Sequence, residues 1–441
     1  MKICIINGSP KGNYSITLQT LLYLQKHFPD EEYEILNVGQ KIKRYEKEMS
    51  EAIAAIQWAD LLIFSYPVYT FIAPYQLHRF LELIKEQKLC LTGKYATQIT
   101  TSKHFFDHTA HKYIEENCYD LGLRFIRGLS ADMDDLLKQE GQKDALAFFH
   151  YVRYCIENEI YETAPELRSA VADHYIPSLP HIPKKETFDT VILTNCEPED
   201  QRLASMIQDF QRAYPYSTRL INIAEYPFSG GCLGCFRCAG DGKCTYKDGF
   251  DTFLREKIQT ADAIVYAFTI KDHSMGASFK CYDDRQFCNG HRTVTMGMPM
   301  GYIINGDYQQ EYNLQTILMA RCEVGHNFFC GAGYNTEEIK GMIGRLAYAL
   351  ENKYVQPQNF YGVGGMKIFR DLIYLMQGFM REDHRFYKKH GIYDFPQKKL
   401  GTLWKMKLVG IVVTNPRLMN KMGNKLNEGM IAPYKKVIDA L

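Results

Sequence analysis

The chain has 441 residues, too many for one ordinary core, and at roughly 150 residues per domain it should fold as two or three. With 46% apolar and 23% charged residues it is not a disordered, collagen-like or low-complexity chain. Its 52 Lys and Arg barely outnumber 51 Asp and Glu, so no overall field recruits nucleic acid, and no run of ~18 apolar residues predicts a transmembrane helix.

Residues 2–7 (KICIIN) form a short apolar run closed by Gly8-Ser9-Pro10, and 15–27 then has helical spacing. Strand patterns follow at 33–38, 60–65 (DLLIFS), 95–101 and 124–128, with helical patterns at 43–58, 73–88 and 109–120 between them. Continuous apolar strands separated by helices imply βαβ units and a parallel sheet covered on both faces. The pattern pauses at 164–185, where Pro165, Pro177, Pro180 and Pro183 read as a linker. It then restarts, with strands at 190–194, 218–223, 261–268, 293–305 and 327–330 and helices at 201–213 and 336–351. The segment ADAIVYAF at 261–268 matches ADLLIFSY at 59–66 in pattern, including its Ala-Asp start. The expected fold is therefore α/β, two doubly wound parallel sheets in tandem: residues 1–160, a linker at 161–187, a second domain at 188–355, and a helical, basic extension at 356–441. From residue 360 onward, 15 basic residues face 6 acidic ones, a net of +9. Helical patterns at 366–380 and 403–413 should pack their apolar faces on the body; a basic cap over an acidic body and a membrane-surface segment are the alternatives.

The first chemical signal is Gly8-Ser9-Pro10-Lys11-Gly12-Asn13-Tyr14-Ser15-Ile16-Thr17, where the first strand hands over to the first helix. A helix N-terminus offers backbone N–H groups and a favourable dipole to an anion, and Ser9, Ser15, Thr17 and Lys11 add hydroxyls and charge. The loop is neither a Walker sequence nor GxGxxG; a tight turn with an N-cap is the plainer reading. Two further loops leave the same sheet edge, where doubly wound folds bind ligands: Pro67-Val68-Tyr69-Thr70-Phe71 and Thr100-Thr101-Ser102-Lys103-His104-Phe105-Phe106. Together they suit a phosphate attached to a planar heterocycle.

These three features, the GSPKGNxSxT loop, the ADLLIFSYPVY segment and the order of the units, resemble the flavodoxin-like NAD(P)H-dependent FMN reductases over residues 1 to about 160. The resemblance implies flavodoxin-like sheets of order 2-1-3-4-5 and FMN as cofactor. It places the phosphate on Ser9, Ser15, Ile16 and Thr17 with Lys11 and Asn13 in the same loop, and the ring against Pro67, Val68 and Tyr69. Thr101 and Ser102 would close the third side. Family third loops are usually glycine-rich and this one is not. His104 is the candidate proton donor or substrate contact, or else a solvated loop histidine. The nearby His108 and His111 lack a metal-binding motif.

The second signal is Cys232-Leu-Gly-Cys235-Phe-Arg-Cys238-Ala-Gly-Asp-Gly-Lys-Cys244. Closely spaced thiolates in a glycine-rich loop suit an iron–sulfur centre or zinc. The run resembles the compact cluster motif of the iron–sulfur flavoproteins, which implies a [4Fe–4S] cluster; similar segments in flavodoxin-like reductases without a known cluster keep free thiols open. Thirteen cysteines, an odd number, with no export signal point to a reducing, cytoplasmic setting. In the second domain Glu197, Glu199 and Asp200 stand where a phosphate would bind, so FMN is not expected there.

The reading is thus a flavin-dependent oxidoreductase passing electrons or hydride from NAD(P)H or a ferredoxin-type donor to a small-molecule acceptor, as a monomer or a homo-oligomer. An electron carrier without its own substrate and a non-catalytic redox or metal sensor are the alternatives.

Overall fold

A computed structural model describes residues 1–164, 175–413, 417 and 425–440. The start of the expected linker, including Pro165, lies outside the described residues. Met1–Phe386 form one compact unit that holds both sheets, and a second unit begins at Tyr387.

The first sheet contains β1 (Lys2–Asn7), β2 (Glu32–Leu36), β3 (Leu61–Pro67), β4 (Tyr95–Ser102), β5 (Arg124–Phe125) and β6 (Leu129–Asp132). All pairs are parallel in the order β2-β1-β3-β4-β5, with β6 continuing beside β4. The strands are apolar runs because both faces are covered: Ile3, Cys4, Ile5 and Ile6 are wholly buried. Around them lie α1 (Ile16–His27), α2 (Val38–Tyr45), α3 (Ser50–Trp58), α4 (Tyr75–Glu86), α5 (Asp107–Asp120) and α6 (Gln139–Glu157).

The second sheet repeats the plan with β7 (Lys185–Thr194), β8 (Tyr216–Asn222), β9 (Ala263–Thr269), β10 (Pro299–Asn305) and β11 (Phe328–Gly333), in the order β8-β7-β9-β10-β11. Its helices include α7 (Gln201–Ala213), α8 (Arg237–Asp241), α9 (Phe250–Phe253), α10 (Gly276–Arg285), α11 (Tyr312–Val324) and α12 (Thr336–Asn352). Both sheets therefore have the flavodoxin-like order. Among the described residues four helices follow: α13 (Phe360–Leu375), α14 (Arg381–Lys389), α15 (Leu400–Val413) and α16 (Lys425–Ile438).

Some expected elements differ. The single helix at 43–58 is two, because the Glu48 carboxylate accepts from the Ser50 amide at 2.9 Å and restarts the chain there. The strand at 124–128 breaks into β5 and β6 at Gly128, where an added Cβ would overlap Gln98 of β4. Residues 293–298 are turns, with Met296 N–H bonded to Thr293 O and Met298 N–H to Thr295 O.

The repeat extends to individual hydrogen bonds. Asp60 accepts from Lys2 N–H at 2.8 Å, and Asp262 accepts from Asp189 N–H at 2.9 Å, so both Ala-Asp starts clamp the strand beside them. After β3 the pair Tyr69 and Ile72 exchange both backbone hydrogen bonds across Thr70 and Phe71, whose φ values are +43° and +74°. After β9 the pair Lys271 and Ser274 do the same across Asp272 (+53°) and His273 (+61°). Two central residues with positive φ make each a type I′ turn.

The two halves are joined reciprocally. Helices α4 and α10, which follow these turns, pack together: Glu82 of α4 accepts from Ala277 N–H at 2.8 Å, while Asp284 of α10 accepts from Tyr75 N–H at 2.7 Å. Each carboxylate thus satisfies an orphan amide at the other helix's N-terminus. One chain therefore reproduces the reciprocal contact of a two-fold dimer.

Candidate functional site

The phosphate-loop candidate is ordered by its own side chains. Asn7 donates to Gly12 O at 2.9 Å and to Asn37 Oδ1 at 2.8 Å, and accepts from Ser9 N–H at 3.3 Å. Gly12 has φ +55°, and Ser15 N-caps α1 by accepting from Leu18 N–H at 3.4 Å. Ser9 accepts from Lys11 N–H at 3.3 Å. A hydroxyl that accepts keeps its own proton to donate. The buried Ser9 and Ser15 therefore remain anion donors, alongside the first-turn amides of Ile16 and Thr17, which have no intrahelical acceptor. Thr17 and Thr101 share a buried hydroxyl contact of 2.6 Å that ties this loop to the end of β4. This donor set fits a phosphate group. Asn13 and Ile16 lie on its exposed side.

The turn after β3 presents Pro67, Val68 and Tyr69, all half-buried. Its fixing comes from the other half of the chain. Lys280, wholly buried on α10, donates to Tyr69 O at 3.0 Å and to the Thr70 hydroxyl, and pairs with Asp283 and Asp284. Thr70 in turn donates to Asp283 at 2.7 Å and Asp284 at 2.9 Å. Burial pushes the Asp284 carboxyl up, against the pull of Lys280. Phe287 meets the Tyr69 ring edge-on at 5.6 Å.

The third loop turns its aromatic residues inward. Phe105 stacks on Phe369 of α13 at 4.1 Å, and Phe106 packs on Phe71 at 4.6 Å. Hence α13 does cover the body as expected. Ser102 is half-buried and accepts from His104 N–H at 2.9 Å. His104 itself is exposed, φ +57°, with Nδ1 on Asp107 at 2.7 Å; Asp107 also accepts from Ser130 at 2.6 Å. His111 is held by Thr100 at 2.7 Å, and burial lowers its pKa to about 4. His104 and His111 thus have separate partners.

The cysteine loop, on the second half, lies directly on these first-half loops. Gln76 of α4 donates to Cys232 O at 3.2 Å, and Lys43 donates to Ser229 O at 2.7 Å. Lys11 places Nζ over the Phe236 ring at 4.7 Å. Burial lowers the Lys11 pKa, while the charges of Cys235 and Cys232 oppose this. Gly234, φ +59°, is pressed so closely on Tyr69 that an added Cβ would overlap the phenol oxygen. Arg285 anchors the start of the loop, donating to Gly230 O at 2.9 Å while gripping Asp248 at 2.7 and 2.9 Å. Neighbouring thiols act on each other: burial raises Cys232, with Cys238 and Cys235 adding to it, and burial followed by Cys235 and Cys244 raises Cys238 to about 11. Among the described residues no three of these four sulfurs lie within 4.8 Å of one another, more open than one tetrahedral ion requires. Cys238 instead donates to Phe287 O at 3.0 Å.

The equivalent site of the second sheet is filled by protein. Asp200 N-caps α7, accepting from Leu203 N–H at 3.1 Å, and also accepts from Asn305 at 3.0 Å and from the Thr269 hydroxyl. Its carboxylate occupies the helix terminus where the other half has the Ser15 hydroxyl. The turn after β9 does different work: His273 bridges Glu311 at 3.1 Å and Asp120 of α5 at 3.1 Å. Burial alone would lower its pKa, but these two hydrogen bonds outweigh it and raise it to about 10. Glu116 beside them is pushed by burial up to about 7.

Sequence reasoning missed Lys43, Gln76, Lys280, Phe236 and Phe287. Their first-half or second-half partners across the site lie 156 to 225 residues away, so no local pattern marks them; the only available signal was Lys280 three and four residues from two acids on a helix.

Residues 1–126 match the Flavodoxin_2 family model, described as a flavodoxin-like fold. No curated protein matches the chain. Similar solved structures include an FMN-dependent NADH-azoreductase from Bacillus anthracis in complex with FMN, 16% identical, covering 36% of this chain and 99% of that one at a TM-score of 0.29. Another is an NADPH-quinone reductase from P. pentosaceus, 16% identical, covering 34% and 97% at 0.29. A third is an NADH:FMN oxidoreductase (EMOB) in its apo form, 20% identical, covering 37% and 91% at 0.31. No helix among the described residues is long and apolar enough to cross a membrane.

Proposed function

We propose that the chain is an FMN-dependent oxidoreductase in which the first sheet holds the flavin and the cysteine loop of the second half holds a [4Fe–4S] centre beside it. The reading rests on one observation: Gly234, between Cys232 and Cys235, is in contact with Tyr69, the residue proposed to flank the flavin ring. When bound, FMN would supply hydride and single-electron chemistry. Ser9, Ser15 and Thr17, with the Ile16 and Thr17 amides, would bind its phosphate, with Lys11 and Asn13 along the same loop. Pro67, Val68 and Tyr69 would orient the ring, and Thr101 and Ser102 would bound its third side. Lys280 keeps the Tyr69 turn in place. His104, exposed and held by Asp107, can hold a proton at Nε2 for an incoming substrate. Cys232, Cys235, Cys238 and Cys244 would hold the cluster, which would supply single-electron chemistry, with NAD(P)H or a ferredoxin-type protein as donor and a small molecule as acceptor.

The donor set fits a soft inorganic centre, since four thiols share a loop whose glycines 234 and 242 take φ of +59° and +73°. Anaerobic purification with iron, sulfide and flavin analysis tests the reading. About four iron and four sulfide per chain with one FMN are expected, and Cys235→Ser should abolish the iron but retain the flavin. Iron-free protein with undiminished FMN-dependent turnover would overturn the cluster and favour free thiols, a state in which the Cys238 bond to Phe287 O would persist. Protein without flavin would overturn the whole assignment.

A further inference from the structure

The second compact unit, from Tyr387 onward, carries a chemistry that the flavin site does not use. Its sequence holds 11 Lys or Arg against 3 Asp or Glu, a net of +8. Its two long helices expose large apolar side chains. In α15 these include Leu400 (66% exposed), Trp404 (65%) and Leu408 (62%) along one side, with Met406 (58%) across the helix. A helix apolar on all sides is ordinarily surrounded by protein or lipid, not water. At 14 residues α15 is about 21 Å long, short of the ~30 Å hydrocarbon core, so it does not span a bilayer. In α16, 3.6-residue periodicity gathers Met430, Ile431, Tyr434, Val437 and Ile438 on one side and Glu428, Lys435 and Lys436 on the other. That is an amphipathic helix with a mainly basic polar face.

We propose that this unit docks on an anionic phospholipid surface, with the apolar sides of α15 and α16 in the headgroup boundary and their lysines among the phosphates. Two observations select lipid over a second copy of the chain. A protein partner covers one face of a helix, whereas α15 exposes apolar groups on more than one. A net of +8 repels another such unit and attracts anionic headgroups. Lys407, with Nζ 5.0 Å from the Trp404 ring centre, couples the cationic and interfacial aromatic groups directly.

The test uses the full chain. It has only two tryptophans, so Trp58→Phe leaves Trp404 as the sole indole. Vesicles of phosphatidylcholine containing phosphatidylglycerol should shift its emission to shorter wavelength and sediment the unmodified chain. Pure phosphatidylcholine should bind at least about tenfold more weakly, and Lys405→Glu with Lys407→Glu should lose a similar factor on the anionic vesicles. Emission and sedimentation unchanged by anionic vesicles would overturn the proposal. So would a lipid-independent shift that grows with protein concentration alongside a doubled mass, which would assign the surface to a second copy.

Discussion

Replacing Gly234 by Ala probes the contact on which the functional reading depends. Gly234 has φ +59°, and an L-residue held in that region costs about 1–2 kcal/mol. The new methyl would also overlap the Tyr69 phenol oxygen and come within 3.2 Å of its ring carbon Cζ. Tyr69 cannot swing away freely, because its N–H and C=O are bonded to Ile72, Lys280 grips the same carbonyl, and Phe287 abuts the ring. Overpacking at such a site adds about 1–3 kcal/mol, so a total loss of about 2–5 kcal/mol is expected. Urea unfolding read by circular dichroism measures it, and bound flavin should fall in parallel because the displaced ring is the proposed flavin wall. Tyr69→Phe removes the overlapping oxygen and should return the overpacking part in the double variant, leaving the backbone part. Gly240→Ala is the control: it lies in α8 with no atom within 4 Å of an added Cβ, and should be neutral or stabilising by about 0.5–1 kcal/mol. A Gly234→Ala protein that unfolds like the parent, with no coupling to Tyr69→Phe, would refute the convergence of the two loops.

Changing Ser9 and Thr17 together to Ala should weaken flavin retention about ten- to a hundredfold, since a charge-assisted donor is worth about 1.5–3 kcal/mol; flavin titration of the apoprotein measures it, and unchanged affinity would move the phosphate elsewhere. Lys280→Met leaves Asp284 buried without its cation and should cost about 3–5 kcal/mol in denaturant unfolding. His273 has a folded pKa raised to about 10, so its stabilisation is complete below its ordinary value near 6.5 and disappears as pH rises to about 10. Stability should therefore weaken over that window by on the order of 5 kcal/mol in thermal unfolding, and His273→Gln should flatten the slope there.

The parts of the fold that were legible are those set by neighbours in sequence. Apolar runs at 2–7 and 60–65 predict strands because both faces of a parallel sheet are covered, and Ser15 is recognisable as a cap from its place before an apolar helix. The two type I′ turns were hidden because Thr70, Phe71, Asp272 and His273 hold positive φ without a glycine. Their strain is borne by partners far along the chain: Thr70 by Asp283 and Asp284, and Asp272 by Lys85. The candidate site was legible as two separate motifs and not as one place. Nothing local to GSPKGN or to the cysteine run says that Gly234 will lie on Tyr69.

Duplication explains why two motifs on different halves meet. In a reciprocal pair each half lends its loops to the other's sheet edge, so a change in one half acts on the site of the other. Here the edge of the second sheet has been closed by Asp200, whose carboxylate caps α7 and accepts from Thr269 and Asn305. A phosphate there would meet a fixed negative charge at short range. That half is then free to vary the loop after β8, and the cysteine run is what it places over Lys11 and Tyr69. The buried Lys280, Asp283 and Asp284 cluster makes this arrangement a fixed one, because separating the halves would leave Asp283 and Asp284 without the Thr70 hydroxyl and the Tyr75 amide, and the Tyr69 turn without its Lys280 anchor. Fusing the two halves into one chain guarantees that the half with the proposed anion site always meets the half with the thiols, which two identical subunits would do only by presenting both features twice.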